Sequence, residues 1–364
     1  MDFAFSDDQI ALQALAHEIL TEQSTHVHLK SLEAASSNGS VYDPQLWKQL
    51  AASGITGIGI PEEFGGAGLG FVDQAVIYDE VGRAVAPVPA VPTLATAYVL
   101  GKAAAEAIGD ALSGVVSGET ILTTAFGDVA EVTAAAAGDS WVLNGEKSFV
   151  PYGAEADIVV VPAKAGDQVV LALLPKGAAG VSVTELHTTN HEPQAHLTLA
   201  SVELGGAQVI ANASEIYDDL VRHHTAALAM VAAGVVKAAL EMTARYTSER
   251  EQFDKKIASF QAVGQRAADA YIDAELIRLT AISAIWRLSE GWPADEEVAI
   301  AKYWAGDGGM RVVHACQHLH GGIGVDLDYP LHRYFIWCKQ IEHELGTPTR
   351  QLLSLGAMLA ATPA

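Results

Sequence analysis

One short segment collects residue types that suit a bound nucleotide. It begins at Arg250 and ends at Gln261, and it holds three cations and two aromatic rings in a chain whose formal net charge is −23. The planar guanidinium of Arg250 can donate paired hydrogen bonds to a diphosphate, and an aromatic ring with an amide beside it suits an adenine. The segment directly follows a long predicted helix, so a solvated turn between two helices is the alternative interpretation.

A second segment, residues 318–324, offers backbone donors. Its sequence His-Leu-His-Gly-Gly-Ile-Gly places Gly321 beside Gly322. Adjacent glycines let a ligand approach the main chain closely and leave N–H groups available to phosphate. An ordinary helix end followed by a loop would explain the same glycines, so both interpretations stay open on these residues alone.

Motifs for other kinds of chemistry are missing or incomplete. The glycine-rich segment 61–70 does not have the G-x-G-x-x-G spacing of a dinucleotide fold, and the sequence contains no G-x-x-x-x-G-K-[ST] or G-x-S-x-G motif. His223 and His224 are adjacent, and His318 and His320 are two apart, but neither pair has a carboxylate or cysteine at ligand spacing. Structural histidines are the simpler interpretation, and we predict no metal site.

Composition is typical of a globular protein. The 364 residues are too many for one ordinary core, and half of them are apolar while 18% are charged. The 44 acidic against 21 basic residues argue against nucleic acid and an anionic membrane as partners. Two cysteines, Cys316 and Cys338, exclude a disulfide scaffold and fit a reducing compartment. No signal sequence or membrane span is recognisable, which makes the cytoplasm the expected location.

The elements that must position both segments are predicted in the order helical, β, helical. Residues 1–118 have helical periodicity throughout most of their length. A capping box begins at Ser6, and Asp43 followed by Pro44 opens a second helix. This first region is therefore predicted to be a helical domain.

The middle and last regions differ clearly in their residue patterns. Residues 119–212 contain short runs rich in β-branched side chains, and we predict an antiparallel β domain with a hairpin turn at Asn144 and Gly145. Residues 213–364 return to helical periodicity and are predicted to form a four-helix bundle. The four stretches are 218–246, 259–289, 294–318 and 347–360. The predicted fold is mainly α with a β middle domain.

Taken together, these segments resemble the acyl-CoA dehydrogenase family. GIPEEFGGAGLG at residues 59–70 looks like its N-terminal signature, Arg250-x-x-Phe253 with Phe260-Gln261 like its flavin-binding turn, and His320-Gly-Gly-Ile-Gly324 with Tyr329-Pro330 like its C-terminal signature. The order of the elements agrees with the family fold, and the resemblance covers nearly the whole chain. Residues 250–254, 260–266, 268–273 and 332–335 and the Thr-Pro-Ala terminus resemble the smaller subunit of actinobacterial α2β2 acyl-CoA dehydrogenases, which act on CoA thioesters of the steroid side chain.

The resemblance implies an FAD-dependent oxidoreductase that introduces a double bond between Cα and Cβ of an acyl-CoA. A carboxylate removes the α proton while hydride leaves Cβ for the flavin, and hydrogen bonds to the thioester carbonyl make that proton acidic enough. In the family each flavin lies across a subunit interface, and the arginine turn and Gly-Gly loop of one subunit hold the ADP half of its neighbour's flavin. The flavin-binding residues expected here are Arg250, Gln252, Phe253, Gln261, His318 (where the family usually has glutamine), Gly321 and Gly322.

Residues expected at the reacting end of the flavin depart from the family pattern. Leu345 precedes a Gly-Thr pair where the family usually has its carboxylate base, and His224 stands at the other base position known in the family. Segment 122–129 lacks the family's Glu-Pro and Ser-Asp, and Pro151 replaces a threonine whose hydroxyl contacts the flavin ring. Because these losses fall on one pocket, we expect no catalytic residue in this chain.

The departures predict a catalytically silent subunit of a heteromeric dehydrogenase. It would share flavin with a second acyl-CoA dehydrogenase-like subunit in an α2β2 assembly, and that partner would supply the base and bind the acyl-CoA. Two alternatives stay open. One is a self-sufficient homo-oligomer whose base is relocated to Glu344, Glu342 or His224, and the other is a scaffold protein that has lost flavin.

Overall fold

The structure is a computed structural model that describes residues 5–37 and 39–361. In this part of the chain the α-helices are α1 (Asp7–Gln23), α2 (His26–Ala35), α3 (Pro44–Ala52), α4 (Phe71–Ala84), α5 (Thr96–Ala103), α6 (Ala105–Ser117), α7 (Ser214–Glu249), α8 (Gln261–Ser289), α9 (Asp295–Tyr303), α10 (Gly309–His320), α11 (Leu331–His343) and α12 (Pro348–Ala361). The strands are β1 (Leu122–Thr124), β2 (Val132–Ala137), β3 (Ser140–Pro151), β4 (Ile158–Ala165), β5 (Gln168–Pro175), β6 (Val181–Leu186), β7 (Gln194–Gly205), β8 (Val209–Ile210), β9 (Glu251–Gln252) and β10 (Lys255–Lys256). Short 3₁₀ and π turns join several of them.

Two units can be recognised within the described chain. The first, here called the helical unit, comprises the chain up to Lys30, Ala75–Ala86, and all residues from Thr225 onward. It includes α1, α4, most of α7, the β9–β10 hairpin and α8 to α12. Apolar side chains at helical spacing, such as Ile277 and Ile285 on α8, form its buried core.

The second, here called the mixed unit, comprises Ser31–Gln74 and Pro87–His224. Its sheet has the strand order β6-β7-β3-β2-β4-β5-β8, and β1 pairs with β4 at its side. Most pairs are antiparallel as predicted, but β1 and β2 each run parallel to β4. Alternate residues of β7, such as Leu197 and Leu199, point into the buried core of the sheet.

The predicted starts of the first helices are confirmed. The Ser6 hydroxyl accepts the Gln9 N–H at 3.2 Å, and the Gln9 side chain accepts the Ser6 N–H at 3.0 Å, which completes the capping box of α1. Asp43 accepts two backbone N–H groups of the first turn of α3 through one carboxylate oxygen, both at 3.0 Å. Local side-chain chemistry therefore fixes where α1 and α3 begin.

The predicted hairpin turn at Asn144 and Gly145 is wrong. Both residues lie inside β3, and the two-residue turn between β2 and β3 is formed by residues 138–139. Gly145 has φ +140°, and a Cβ there would lie 2.1 Å from the carbonyl oxygen of Glu131. The glycine is needed because two backbones approach closely beside an irregularity in the β3–β7 register, which is the other common use of glycine in a strand.

The region from Ser214 onward contains more helices than the sequence predicted. A π turn, Trp304–Gly308, divides the predicted stretch 294–318 into α9 and α10, and α11 is an additional helix. The fold class is confirmed as mainly α with a β middle region. The division into domains 1–118, 119–212 and 213–364 stays a prediction.

Helix α7 is long and apolar enough to cross a membrane by length and composition. Most of its apolar stretch is nevertheless buried within the protein, including Ala226, Met230 and Val236, which are fully covered. It is therefore a core helix of this fold, as its alanine-rich sequence predicted.

Candidate functional site

The segment that starts at Arg250 forms a tight hairpin after α7. The Arg250 N–H still donates to the Tyr246 carbonyl at 2.9 Å, as in a helix, while its own carbonyl accepts the N–H of Ile257. Between β9 and β10, Phe253 and Asp254 both adopt left-handed backbone conformations, with φ +55° and +61°. Such a two-residue turn favours Asn-Gly, so a phenylalanine held there indicates a side chain retained for function.

Side chains of this hairpin point to solvent. Phe253 is 87% exposed, and its ring lies at right angles to the Phe260 ring with 6.5 Å between centroids. Gln252 and Gln261 are also exposed, the latter as the first residue of α8. The Arg250 guanidinium is exposed and makes no ion pair or hydrogen bond with the described residues, so all its donors are available to a ligand.

The Gly-Gly loop begins where α10 ends. Gly321 has φ +66° and donates its N–H to the carbonyls of Gln317 and His318, which closes the helix. A Cβ built on Gly322 would meet no atom within 4 Å, although this residue does not need a left-handed conformation. The backbone of Gly322 is therefore open to an approaching molecule, and His318 lies exposed in the last helical turn beside it.

Two aromatic rings bring the hairpin and the loop together. Tyr246, one helical turn before Arg250, stacks on His320 with 4.5 Å between ring centroids and an angle of 18° between the rings. His320 directly precedes Gly321, so the stack joins the end of α7 to the end of α10. The seven residues that the sequence singled out lie on these two adjoining, exposed segments of the helical unit and at the start of α8.

The segment around Leu345 contains no carboxylate at the expected base position. Leu345 has a left-handed φ of +52°, and its carbonyl accepts the Gln351 side chain at 3.0 Å. Glu342 pairs with Lys339 at 2.7 Å. Glu344, half-buried, ends α11 and donates its N–H to the Gln340 carbonyl.

A buried lysine fixes this same segment. The Lys302 ammonium group is fully covered and donates to the carbonyls of Ile341 and Gly346 at 2.7 and 3.0 Å. Burial lowers its pKa to about 8 despite the nearby Glu344 and Glu342. The backbone of residues 341–346 is therefore held in place.

His224 lies in the interior of the mixed unit. Its Nδ1 lies 2.8 Å from the Leu220 carbonyl, and its Nε2 lies 3.2 Å from the Thr96 hydroxyl, which in turn contacts the Thr124 hydroxyl at 3.0 Å. The Phe126 ring packs edge-on against the imidazole, 4.7 Å between centroids. Burial lowers the pKa of His224 to about 4, so the ring is neutral near pH 7.

Residues 149–151 form the segment that is expected to face a flavin ring. Pro151 has no N–H, and its carbonyl accepts the buried Thr123 hydroxyl at 2.7 Å. Phe149, two residues earlier, has φ +56° and is 70% exposed. This segment therefore presents the apolar ring of Phe149 and, at residue 151, a side chain without a hydroxyl.

Three family profiles match consecutive parts of the chain. They are the N-terminal, middle and C-terminal domains of acyl-CoA dehydrogenase, over residues 6–119, 124–202 and 219–359. Acyl-CoA dehydrogenase FadE27 of Mycobacterium tuberculosis is 37% identical, and the match covers 100% of both chains. This chain belongs to the acyl-CoA dehydrogenase family.

Two solved structures are similar to this chain over almost their whole length. One chain of the ChsE4-ChsE5 complex from Mycobacterium tuberculosis has a TM-score of 0.95 at 37% identity, with 100% of each chain covered. A variant of the Tcur3481-Tcur3483 steroid ACAD has a TM-score of 0.91 at 39% identity, covering 97% of this chain and 98% of that one.

FAD is the cofactor of the acyl-CoA dehydrogenases, and the hairpin and loop fit its ADP half. Arg250 supplies an unpaired cation, Gly322 an uncovered backbone, and Phe253 an exposed ring. The residues at the reacting end do not fit in the same way, because Leu345 cannot accept a proton and Pro151 cannot donate a hydrogen bond.

Sequence reasoning did not find the residues that hold these segments. Tyr246 and Lys302 were not singled out, and His320 was interpreted as a structural histidine at the start of the C-terminal signature, with no role in positioning. A weak signal was available, since Tyr246 precedes Arg250 by one helical turn and His320 directly precedes Gly321. The described residues contain no group of three histidine, cysteine or acidic side chains able to hold a metal.

Proposed function

We propose that this chain is the catalytically silent subunit of a heteromeric FAD-dependent acyl-CoA dehydrogenase. It holds the ADP half of a flavin with Arg250, Gln252, Phe253, Gln261, His318, Gly321 and Gly322. Its partner, a second acyl-CoA dehydrogenase-like subunit in an α2β2 assembly, supplies the base and the acyl-CoA site. The carrying observation is the contrast between an open, exposed hairpin and loop and the side chains of Leu345 and Pro151, which offer neither a proton acceptor nor a hydroxyl.

In this proposal the chain's own residues bind and orient the ADP half of FAD. Arg250 presents a planar fork to the diphosphate, and the open space at Gly322 lets the same anion approach the main chain closely. Phe253 and Gln261 lie where a ring and an amide can contact the adenine. When bound, FAD accepts the hydride that leaves Cβ of the acyl-CoA.

The interior of the mixed unit supports the absence of a second acyl site. Phe126 packs against His224, and the Tyr217 hydroxyl donates to the Gly127 carbonyl at 2.8 Å, which fastens the segment that follows Phe126. Lys147, fully buried, donates to the Asp128 carbonyl at 2.6 Å. The segment that contacts flavin and thioester in other family members is thus tied down by side chains of this chain.

Exposed apolar side chains on the helical unit support an obligate partner. Tyr271, Ile272 and Leu279 on α8 are 58%, 55% and 45% exposed, and Leu352 and Leu353 on α12 are 51% and 71% exposed. Exposed large apolar side chains on a helix are typical of a surface covered by another protein. The similar ChsE4-ChsE5 structure is a complex, which agrees with such an assembly.

The proposed substrate of the assembly is a CoA thioester of a steroid side chain, bound at the partner's site. Its support is the likeness to the Tcur3481-Tcur3483 steroid ACAD at 39% identity and the motif resemblance of residues 250–273. The proposed location is the cytoplasm, where the two buried, unpaired cysteines Cys316 and Cys338 stay reduced.

Flavin content of two variants tests the proposal. The chain is co-expressed with the dehydrogenase-like subunit that copurifies with it, and FAD per complex is measured from the flavin absorbance. We expect Arg250→Ala to lower FAD affinity about tenfold or more, because a charged hydrogen-bond donor to the diphosphate is lost. We expect Gly322→Val to do the same, since its side chain fills space that the free chain leaves empty.

Arg350→Ala is the matched control, because Arg350 is an exposed arginine of the same unit outside both segments. It should bind FAD as the unmodified complex does. Unchanged FAD affinity in both Arg250→Ala and Gly322→Val would contradict the proposal. So would dehydrogenation of an acyl-CoA by this chain purified alone with stoichiometric FAD.

A further inference from the structure

A three-ring cluster joins three separate segments of the helical unit. Tyr246 on α7 stacks on His320 at the end of α10, and the Tyr329 ring lies 5.2 Å from His320 and 6.4 Å from Tyr246. His320 is 4% exposed, and Tyr246 and Tyr329 are half-buried, so the centre of the cluster is buried next to the exposed segments. Tyr246 lies four residues before Arg250, and His320 lies directly before Gly321. Tyr329 follows the loop that Gly321 begins.

Hydrogen bonds fix the orientation of the central imidazole. Its Nδ1 lies 2.8 Å from the Cys316 carbonyl, which can only accept, so Nδ1 carries the proton. Its Nε2 lies 3.0 Å from the Tyr329 hydroxyl, and in the neutral ring this nitrogen accepts that hydroxyl's proton. Burial lowers the pKa of His320, which favours the neutral ring.

These contacts close the Gly-Gly loop at its base. The hydrogen bond from Tyr329 to His320 joins the two ends of residues 321–328, and the stack on Tyr246 ties that closed loop to the last turn of α7. A merely space-filling residue at 320 would pack on Tyr246 but could not bind both the Cys316 carbonyl and the Tyr329 hydroxyl. The backbone segments that carry Arg250 and Gly322 are therefore held in one arrangement before any ligand binds.

We infer that His320, with Tyr246 and Tyr329, is a positioning residue for the FAD diphosphate. It fixes the position of the Arg250 hairpin relative to the Gly-Gly loop. The inference rests on the proposed function, since it concerns how the same ADP site is preorganised. Preorganised donors bind an anion more tightly because the cost of ordering them has been met during folding.

Affinity for FAD and for ADP alone tests this role in the complex freed of flavin. We expect Tyr246→Leu and His320→Phe each to raise the Kd for FAD about tenfold, because the first removes the stack and the second removes both hydrogen bonds. Tyr246→Phe should stay within twofold, because it keeps the stack. ADP should show the same ratios, since only the ADP half of FAD meets these segments.

Ile285→Val controls for a general loss of stability. Ile285 is buried at the far end of α8, and shortening a buried side chain by one methylene group lowers stability modestly. It should leave both Kd values unchanged while lowering the melting temperature. If Tyr246→Leu and His320→Phe bind FAD within twofold of the unmodified complex, the positioning role is wrong.

A smaller change covers the case in which a variant fails to fold. Tyr329→Phe removes one hydroxyl from the cluster, and we expect it to raise the Kd for FAD about threefold. An unchanged Kd in a folded Tyr329→Phe complex would overturn the inference. If Arg250→Ala weakens FAD binding but the cluster variants do not, the inference alone fails; if Arg250→Ala and Gly322→Val also bind normally, the proposed function fails.

Discussion

The buried position of His224 limits what its imidazole can do. The conjugate acid is destabilised by burial, with a pKa of about 4, so the neutral ring is a weak proton acceptor. The Nε2 atom also faces the Thr96 hydroxyl, and Phe126 covers the ring. A base that removes a weakly acidic α proton works best with a pKa near the working pH, which this site does not provide.

Substitutions at the relocated-base positions should therefore leave turnover unchanged. In the heteromeric complex we expect His224→Gln and Glu344→Gln each to keep the rate of acyl-CoA dehydrogenation per bound FAD within twofold. The measurement is steady-state turnover with an artificial electron acceptor. Removing a true general base typically costs a factor of about 10²–10⁴, so a fall of that size in either variant would identify a base in this chain.

Helices α4 and α7 show how element geometry depends on glycine. A Cβ on Gly234 would lie 1.9 Å from the Asp79 carbonyl oxygen, and one on Gly82 would lie 2.1 Å from that of Val231. The two helix backbones are therefore in direct contact. The sequence could not predict this crossing, because the two glycines lie about 150 residues apart and neither belongs to a turn motif.

Within the site, features formed by consecutive residues were predicted from the sequence, whereas contacts between distant residues were not. Arg250 and the Gly-Gly pair are recognisable because their chemistry lies within a few consecutive residues. The Tyr246–His320 stack joins residues 74 positions apart, so its existence depends on how α7 and α10 pack. Gly145 was misassigned for a related reason, since a tight turn and a close backbone approach both require glycine.

A buried carboxylate on α4 gives the helical unit a pH-dependent stability. Asp79 is 4% exposed, one of its oxygens accepts the Gln13 amide at 3.2 Å, and the other has no partner among the described residues. Burial, with a smaller contribution from the adjacent Glu80, raises its pKa to about 6. Lys237, Arg83 and Arg278 oppose that shift.

We expect Asp79→Asn to stabilise the protein at neutral pH. In the unfolded chain this carboxyl loses its proton near pH 3.9, whereas the folded protein keeps it up to about pH 6. The folded state therefore loses stability relative to the unfolded state as pH rises between those values. The shift corresponds to about 3 kcal/mol, so the variant should gain up to roughly that amount at pH 7 and nothing near pH 4.

Urea denaturation at several pH values measures this difference. Glu106→Gln, which changes an exposed carboxylate on α6, should differ from the unmodified protein by less than about 0.5 kcal/mol throughout. A gain for Asp79→Asn that does not vary with pH would contradict the assigned pKa.

At the scale of the whole molecule, the residues proposed to bind the nucleotide and those expected at the reacting end of the flavin differ in their exposure and chemistry. The residues proposed to bind the nucleotide lie at the surface, as they must if the flavin is shared with a partner, while the side chains of Leu345 and Pro151 have no group that accepts or donates a proton. Restoring a single group should not restore the reaction. Leu345→Glu would supply a carboxylate on a backbone that Lys302 already holds, but Pro151 would still lack a donor and Phe126 would still cover His224.

This division predicts where catalysis is lost when each subunit is changed. We expect replacement of the partner's base carboxylate by its amide to lower turnover of the complex by about 10³-fold, since the proposed function gives this chain no base to substitute for it. Leu345→Glu in this chain should leave the damaged complex inactive and should give no turnover in the chain alone. Steady-state turnover per FAD decides both points. Recovery of even one tenth of the activity with Leu345→Glu would mean that this subunit kept an acyl pocket that needed only its base.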